Sequence, residues 1–171
     1  TAVGGVGAWA GGASGGRGRG EVRGHAIPAA IAAIVIAVDR VTKVFIERRF
    51  GVPYGPRQVI DHLIFLTVTR NRGAAFGLFQ NFTLGFLAVS VVVLAGILIY
   101  YWSLPAGDWS ARIGLALVFG GALAHAYDRL GKGSVIDFIQ IPHWPIFNGA
   151  ASSITVGVTI PVLGRRQRSA H

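Results

Sequence analysis

The sequence predicts an all-α membrane protein with four membrane-spanning helices and a small β-rich cap. Of its 171 residues, 52% are hydrophobic and only 13% are charged, whereas a soluble domain has about 25% charged residues. The mean hydropathy is +0.55. Four apolar segments approach the ~20 residues that cross the hydrocarbon core of a bilayer. The remaining length accommodates one small unit outside the membrane.

Net charge and composition limit the classes of partner and the kinds of chemistry that this chain could have. The net charge of +9 raises the possibility of nucleic-acid binding. However, the basic residues lie in the tails and at helix ends, as expected for anchoring at anionic membrane lipids. No nucleic-acid-binding motif accompanies them. Because cysteine is absent, disulfides, thiol nucleophiles and zinc–thiolate sites are excluded. There is no HExxH motif either, so we expect no metal site.

The first part of the chain is predicted to contain a tail and the first helix. Residues 1–24 are rich in glycine and arginine and are predicted to be a disordered tail. The membrane domain is predicted over residues 25–164 and its first helix over residues 26–47. Asp39 and Lys43 are four residues apart with the acid first, which favours an ion pair on one helix face. This pair is either a snorkelling interfacial pair or a structural pair beside an active site.

A β-rich cradle is predicted from two segments, residues 49–80 and residues 133–142. The first is too polar to span a membrane, and its residues 59–69 are rich in β-branched and aromatic types, which favours one strand. Asn71-Arg72-Gly73 supplies a turn signal. The second segment is predicted to add another strand. His62 is predicted to be a solvated surface residue.

Three further helices complete the predicted bundle. The helix over residues 82–102 is uniformly apolar and ends in aromatic residues, which is typical of a membrane interface. The helix over residues 111–130 contains small residues that permit close helix packing. The last helix, over residues 149–163, precedes a basic tail at residues 165–171. Four helices place both termini on one side of the membrane, but the basic residues divide evenly between the two sides and leave the orientation open.

Several polar residues are predicted near membrane depth, where they are costly unless paired or functional. Such a set fits either acid–base hydrolysis or a proton or ion path, and composition does not separate the two. A four-helix transport protein would need polar residues along a path across the membrane. The second helix contributes none of them and the rest lie toward one side, so transport is the least favoured of the possible functions. The set is Asp39, Lys43, Asn71, His125, Asp128, Arg129, Asp137 and Asn148.

Five short motifs occur in order along residues 25–163. They read DRVTK at 39–43, NRGAAF at 71–76, GGALAHAYDR at 120–129, VIDF at 135–138 and FNGAASSI at 147–154. These motifs resemble the D-Q-x-[ST]-K, N-x-G-A-A-F, G-G-A-x-G-N-x-x-D-R, V-V-D-F and F-N-x-A-D-S-x-I boxes of the bacterial lipoprotein signal peptidases (signal peptidase II). Each motif is weak alone, but their order, the four spans and the length together identify the chain as a member of that family.

The resemblance implies a fold and an activity. It implies four transmembrane helices in the bacterial cytoplasmic (inner) membrane, cytoplasmic termini and a periplasmic β-cradle with the active site toward the outer side. It implies an aspartic endopeptidase that removes signal peptides from diacylglyceryl-modified prolipoproteins before the lipidated cysteine, without a cofactor. We expect the chain to be a monomer. Two neighbouring carboxyl groups share one proton because both do not ionise at that distance. The ionised group activates water, and the protonated one donates to the scissile carbonyl and then to the leaving amine.

The resemblance also assigns residues. It makes Asp128 the first catalytic aspartate and places the second at position 151, where this chain has Ala151. His125 stands where the family motif has asparagine. Positions that shape or support the site are Asp39, Lys43, Asn71, Gly73, His125, Arg129, Asp137 and Asn148.

Ala151 is the main departure from the family pattern. A methyl group neither holds nor gives a proton, and loss of one member of a catalytic unit commonly costs about 10⁴–10⁶ in rate. We therefore predict poor cleavage by this chain unless His125 or Asp137 substitutes. The alternative is a non-catalytic homologue that still binds lipidated prolipoproteins.

Overall fold

The computed structural model describes residues 15–73 and 82–168, with side chains described over residues 24–73 and 82–164. The fold is mostly helical with one small antiparallel sheet. In chain order the elements are α1 (Gly15–Phe50), β1 (Tyr54–Ile60), β2 (Ile64–Asn71), α2 (Thr83–Ser103), α3 (Trp109–Lys132), β3 (Val135–Gln140) and α4 (Gly149–Arg168).

The helix ends differ from the predicted ones mainly at α1. This helix begins at Gly15 rather than at residue 26, so it includes residues that the sequence predicted to be part of a disordered tail. Residues 1–14 of that tail lie outside the described part of the chain. Once a helix is nucleated, each added residue contributes another backbone hydrogen bond, and no proline precedes Pro28 to interrupt it.

By length and apolarity, α2 is the one helix of the described residues that suits a membrane span. Its mean hydropathy is 2.4 over an 18-residue window, none of which is buried within the protein. Gly149–Gly164 of α4 is apolar but shorter. In α1 and α3 the polar residues of the candidate site, such as Asp39 and Asp128, interrupt the apolar runs. Hydropathy therefore singles out one span where the sequence predicted four.

The sheet has the order β1-β2-β3 with antiparallel neighbours. The single strand predicted over residues 59–69 is wrong, since the chain turns at residues 61–63 and Ile60 pairs with Ile64. The prediction missed this turn because β-branched residues, which favour strands, lie on both sides of it. His62 adopts a left-handed φ of 49°, a conformation in which histidine is enriched. Its side chain is 87% exposed, in agreement with the prediction of a surface residue.

Glycines bring α3 into contact with α4. A Cβ atom added to Gly114 would lie 2.5 Å from the carbonyl oxygen of Gly157, and one added to Gly157 would lie 2.5 Å from the carbonyl oxygen of Gly114. Small residues at a helix interface permit this backbone approach. The contact fixes the position of α4, whose N-terminus carries part of the candidate site.

A substitution tests this contact. Gly157→Ala is expected to destabilise the protein by about 1–3 kcal/mol, because the methyl group overpacks the α3–α4 interface. The matched control is Gly96→Ala in α2, where the added Cβ has no atom within 4 Å and helix propensity favours alanine. Thermal unfolding followed by circular dichroism in detergent measures both. Equal unfolding temperatures for the two variants would contradict this packing.

Candidate active site

A buried ion cluster joins α1 to α3. The Nζ atom of Lys43 lies 2.6 Å from Oδ2 of Asp39 and 2.6 Å from Oδ2 of Asp128. The Lys43 side chain is only 2% exposed, so the lysine does not snorkel to an interface. The ion pair predicted from the i,i+4 spacing on α1 is present. Of the two predicted alternatives it is the buried structural pair, and Asp128 of α3 is its third member.

Both oxygens of Asp128 are in contact with cations. In addition to Lys43, Nη1 of Arg40 lies 3.3 Å from Oδ1 of Asp128, and the Arg40 guanidinium stacks over the Tyr127 ring at 5.1 Å. These contacts do not fit the predicted role for Asp128, in which one oxygen shares a proton with a second carboxyl group. Sequence reasoning also missed Arg40, although it is the position at which the first motif departs from the family pattern.

Asp39 connects the ion cluster to α4. Its Oδ1 atom accepts a hydrogen bond of 2.9 Å from the backbone N–H of Ala150, in the first turn of α4. A carboxylate is favoured there because the unpaired N–H groups of a helix N-terminus carry partial positive charge. The ion cluster therefore holds α1, α3 and α4 in one arrangement.

A second polar group surrounds Asn148, which is fully buried. Its Nδ2 atom donates to Oδ1 of Asp137 at 2.7 Å and to the carbonyl oxygen of Ile136 at 3.1 Å. Its Oδ1 atom accepts from the backbone N–H of Ala151 at 2.9 Å. This last bond is an N-cap, the usual role of asparagine just before a helix. One amide side chain therefore contacts both the Asp137 carboxylate and the backbone of residue 151.

Asn71 holds the other oxygen of Asp137. Its Nδ2 atom donates to Oδ2 of Asp137 at 3.1 Å, while its Oδ1 atom accepts from the N–H of Gly73 at 2.9 Å. Arg129 donates to the carbonyl oxygen of Gly73 at 3.3 Å and stacks over the ring of Phe86 at 4.8 Å. The turn predicted at residues 71–73 thus serves to direct an amide toward a buried carboxylate.

His125 stands apart from these contacts. In the part of the chain that has described side chains, its buried Nδ1 atom has no hydrogen-bond partner, and the same holds for Nε of Arg129. The hypothesis that His125 replaces the missing aspartate requires a hydrogen bond toward a carboxylate. Among the described residues, no hydrogen bond joins His125 to Asp128 or Asp137.

Asp137 has an unusual electrostatic environment. Burial raises its pKa to about 6 from an ordinary 3.8, against the opposing effects of the Asn71 and Asn148 hydrogen bonds and the Lys43 and Arg129 charges. A carboxyl group that changes protonation near neutral pH suits general acid–base chemistry.

This environment predicts a pH-dependent stability. Between pH 3.8 and about 6 the folded protein holds a proton on Asp137 that the unfolded chain has released. The contribution of Asp137 to the free energy of unfolding therefore falls by about 3 kcal/mol as the pH rises through this window. Above the window this contribution stays constant. Asp137→Asn should lose this component. Thermal unfolding at several pH values compares the two proteins, and identical pH dependences would contradict the expectation.

Comparisons with known proteins show the family of this chain. The family model described as signal peptidase (SPase) II matches residues 31–164. A lipoprotein signal peptidase of Desulfitobacterium hafniense (strain DSM 10664 / DCB-2) is 43% identical over 126 residues, covering 73% of this chain and 83% of the relative. A lipoprotein signal peptidase of Moorella thermoacetica is 42% identical over 130 residues, covering 76% and 86%.

A solved structure described as a bacterial membrane enzyme, determined by the in meso method at 2.3 Å resolution, has a TM-score of 0.75 and 30% identity. The match covers 84% of this chain and 90% of the solved structure. The fold, the buried carboxylates and these relatives define the class as a membrane-bound hydrolase. Within that class, the chain belongs to the signal peptidase II family.

Proposed function

We propose that this protein has the substrate-binding scaffold of a lipoprotein signal peptidase, with α1–α4 crossing the bacterial cytoplasmic membrane and the sheet at its outer side. The substrate is a diacylglyceryl-modified prolipoprotein, cleaved before the lipidated cysteine. Support comes from relatives that are named lipoprotein signal peptidases and from a similar structure described as a membrane enzyme. A single copy of the chain supplies both polar groups of the site.

The observation that carries the mechanism is the bridging amide of Asn148. Because it contacts both Asp137 and the backbone of residue 151, it brings those two positions together. With an aspartate at 151, the two carboxyl groups would share one proton. The ionised member would activate water for attack on the scissile carbonyl. The protonated member would donate its proton to the carbonyl oxygen. The other member would pass the proton taken from water to the leaving amine, and collapse of the tetrahedral diol would return a proton to the first carboxylate.

We therefore assign the first acid–base position to Asp137 and not, as the sequence analysis predicted, to Asp128. The Asp137 carboxylate contacts only neutral amides within the described residues, so its proton remains exchangeable. The Asp128 carboxylate is bound by Lys43 and Arg40. Its role is to position α3 against α1, and through Asp39 against the first turn of α4.

Ala151 impairs the chemistry but not the scaffold. The N–H of Ala151 still makes the capping bond to Asn148, so the substitution leaves the start of α4 in place. What is missing is the second proton-bearing group, and without it Asp137 has no partner for proton exchange. The chain is accordingly a binder of lipidated precursors with little or no cleavage.

Binding and cleavage are tested separately on one peptide. The purified protein in detergent is incubated with a precursor peptide carrying a diacylglyceryl-cysteine, and with the same peptide lacking the lipid. We expect the lipidated peptide to bind at least about tenfold more tightly, because buried acyl CH₂ groups contribute to affinity. Mass spectrometry should show almost no product. Equal affinities would contradict the proposed substrate, and rapid cleavage would contradict the proposed effect of Ala151.

A further inference from the structure

An apolar groove lies on the opposite part of the bundle from the candidate active site. It has a volume of about 400 Å³ and lies between α1, α2 and α3. Since His25 precedes Asp39 by fourteen residues on α1, the two lie about 20 Å apart along the helix. Most of the lining is apolar, and the polar end is formed by His25, Tyr101 and Trp102. The proposed peptidase chemistry uses none of these residues.

A buried cation lies behind the polar end of the groove. Arg112 is only 6% exposed. It donates to the hydroxyl group of Tyr101 at 3.2 Å and to the carbonyl oxygens of Leu104 and Pro105 at 3.3 and 3.4 Å. Among the described residues it makes no ion pair with a carboxylate. Within the described side chains, only neutral oxygen atoms compensate this buried charge, so an anion at this end of the groove would be favoured.

The hydrogen bonds of His25 fix which of its nitrogens faces a ligand. Its Nδ1 atom lies 2.9 Å from the Tyr101 hydroxyl oxygen and 3.5 Å from Nη1 of Arg112. Because a guanidinium only donates, its contact favours Nδ1 as the acceptor, and an imidazole in that neutral tautomer carries its proton on Nε2. The Nε2–H group has no partner within the described residues. It is therefore a free donor at the groove, next to the buried charge of Arg112.

We propose that this groove binds an anionic phospholipid, with one acyl chain along the apolar lining and the phosphate at the Nε2–H group of His25. Charge complementarity with Arg112 selects an anionic headgroup over a zwitterionic one. On the proposed topology this end of the bundle is cytoplasmic, where a signal peptide has its positively charged region. The same Arg112 charge repels that region, so the groove is a lipid site and not an extension of the substrate site.

Native mass spectrometry of the full chain in detergent tests the site with two probes that share their acyl chains, phosphatidylglycerol and phosphatidylcholine. We expect phosphatidylglycerol to bind about tenfold more tightly, since both phosphates accept the same hydrogen bond but the choline cation is repelled by the buried charge of Arg112. Ala33 is exposed and lines the groove, so Ala33→Phe should reduce this binding about tenfold by filling it. The matched control is Ala30→Phe, an exposed position on the same helix outside the lining.

A second variant separates the headgroup from the acyl chain. His25→Leu should weaken the binding of both lipids, because their shared phosphate loses a hydrogen bond, while the preference for phosphatidylglycerol, which the Arg112 charge produces, should remain. If Ala33→Phe unfolds, Ala29→Phe at another exposed lining position replaces it. Equal binding of the two lipids to the unmodified chain, or equal effects of Ala33→Phe and Ala30→Phe, would overturn the proposal. So would displacement of the lipid by a synthetic signal peptide. None of these readouts depends on peptide cleavage, so the lipid site fails or stands independently of the peptidase assignment.

Discussion

Replacing Ala151 with aspartate is expected to raise the cleavage rate of a diacylglyceryl precursor peptide by about 10⁴-fold or more, the usual effect of restoring one member of a catalytic unit. The new carboxyl group would extend from a position whose backbone already bonds to Asn148, the residue that also holds Asp137. Product formation is measured by mass spectrometry under single-turnover conditions.

Ala151→Asn is the matched control for this reversion. Asparagine has nearly the shape and volume of aspartate but does not shuttle a proton, so this variant should remain as inactive as the unmodified chain. If Asp and Asn at position 151 gave equal rates, proton sharing at this position would be refuted. Inactivity of both, with lipidated peptide still bound, would contradict the assignment of position 151.

The second large effect concerns the ion cluster. Lys43→Met is expected to destabilise the protein by about 3–5 kcal/mol, since it leaves the buried carboxylates of Asp39 and Asp128 without their shared cation. The matched control is Lys132→Met, which removes the contact of a more exposed lysine with Glu47. Such a surface pair contributes about 1 kcal/mol or less. Thermal unfolding in detergent measures the difference between the two variants.

If charge balance makes Lys43 necessary, neutralising its two partners should restore stability. Adding Asp39→Asn and Asp128→Asn to Lys43→Met removes the uncompensated charges and should recover most of the lost stability, because a buried ion cluster contributes little over a neutral one. The Asp39 oxygen that accepts from Ala150 remains available in asparagine. A triple variant less stable than Lys43→Met would show that geometry, and not charge balance, makes the lysine necessary.

Local patterns predicted much of the fold. The apolar run of α2, the small residues of α3 and the i,i+4 spacing of Asp39 and Lys43 each depend on neighbours in sequence, and each led to the observed element or pair. The single strand predicted across residues 61–63 failed because β-branched residues flank the turn on both sides. The polar pair Asp61–His62 was the signal that marked the break.

The candidate site depends on contacts that sequence spacing does not encode. Lys43 and Asp128 are 85 positions apart, so no local pattern identified the lysine as the partner that occupies the Asp128 carboxylate. Likewise, the double contact of Asn148 with Asp137 and residue 151 follows from the meeting of β3 and the start of α4. Motif resemblance pointed to the residues of the candidate site except Arg40, whereas the ion cluster of Lys43 with Asp39 and Asp128 and the separate contacts of Asp137 were visible only in the structure.

The most direct test of the central claim compares two further substitutions in the Ala151→Asp background, with cleavage of the lipidated peptide and its affinity both measured. Asp137→Asn is predicted to abolish cleavage while leaving peptide binding unchanged. Asp128→Asn is predicted to lower the unfolding temperature while folded protein still cleaves. Cleavage that persists in Asp137→Asn but disappears in a stably folded Asp128→Asn variant would contradict the account and return the acid–base role to Asp128.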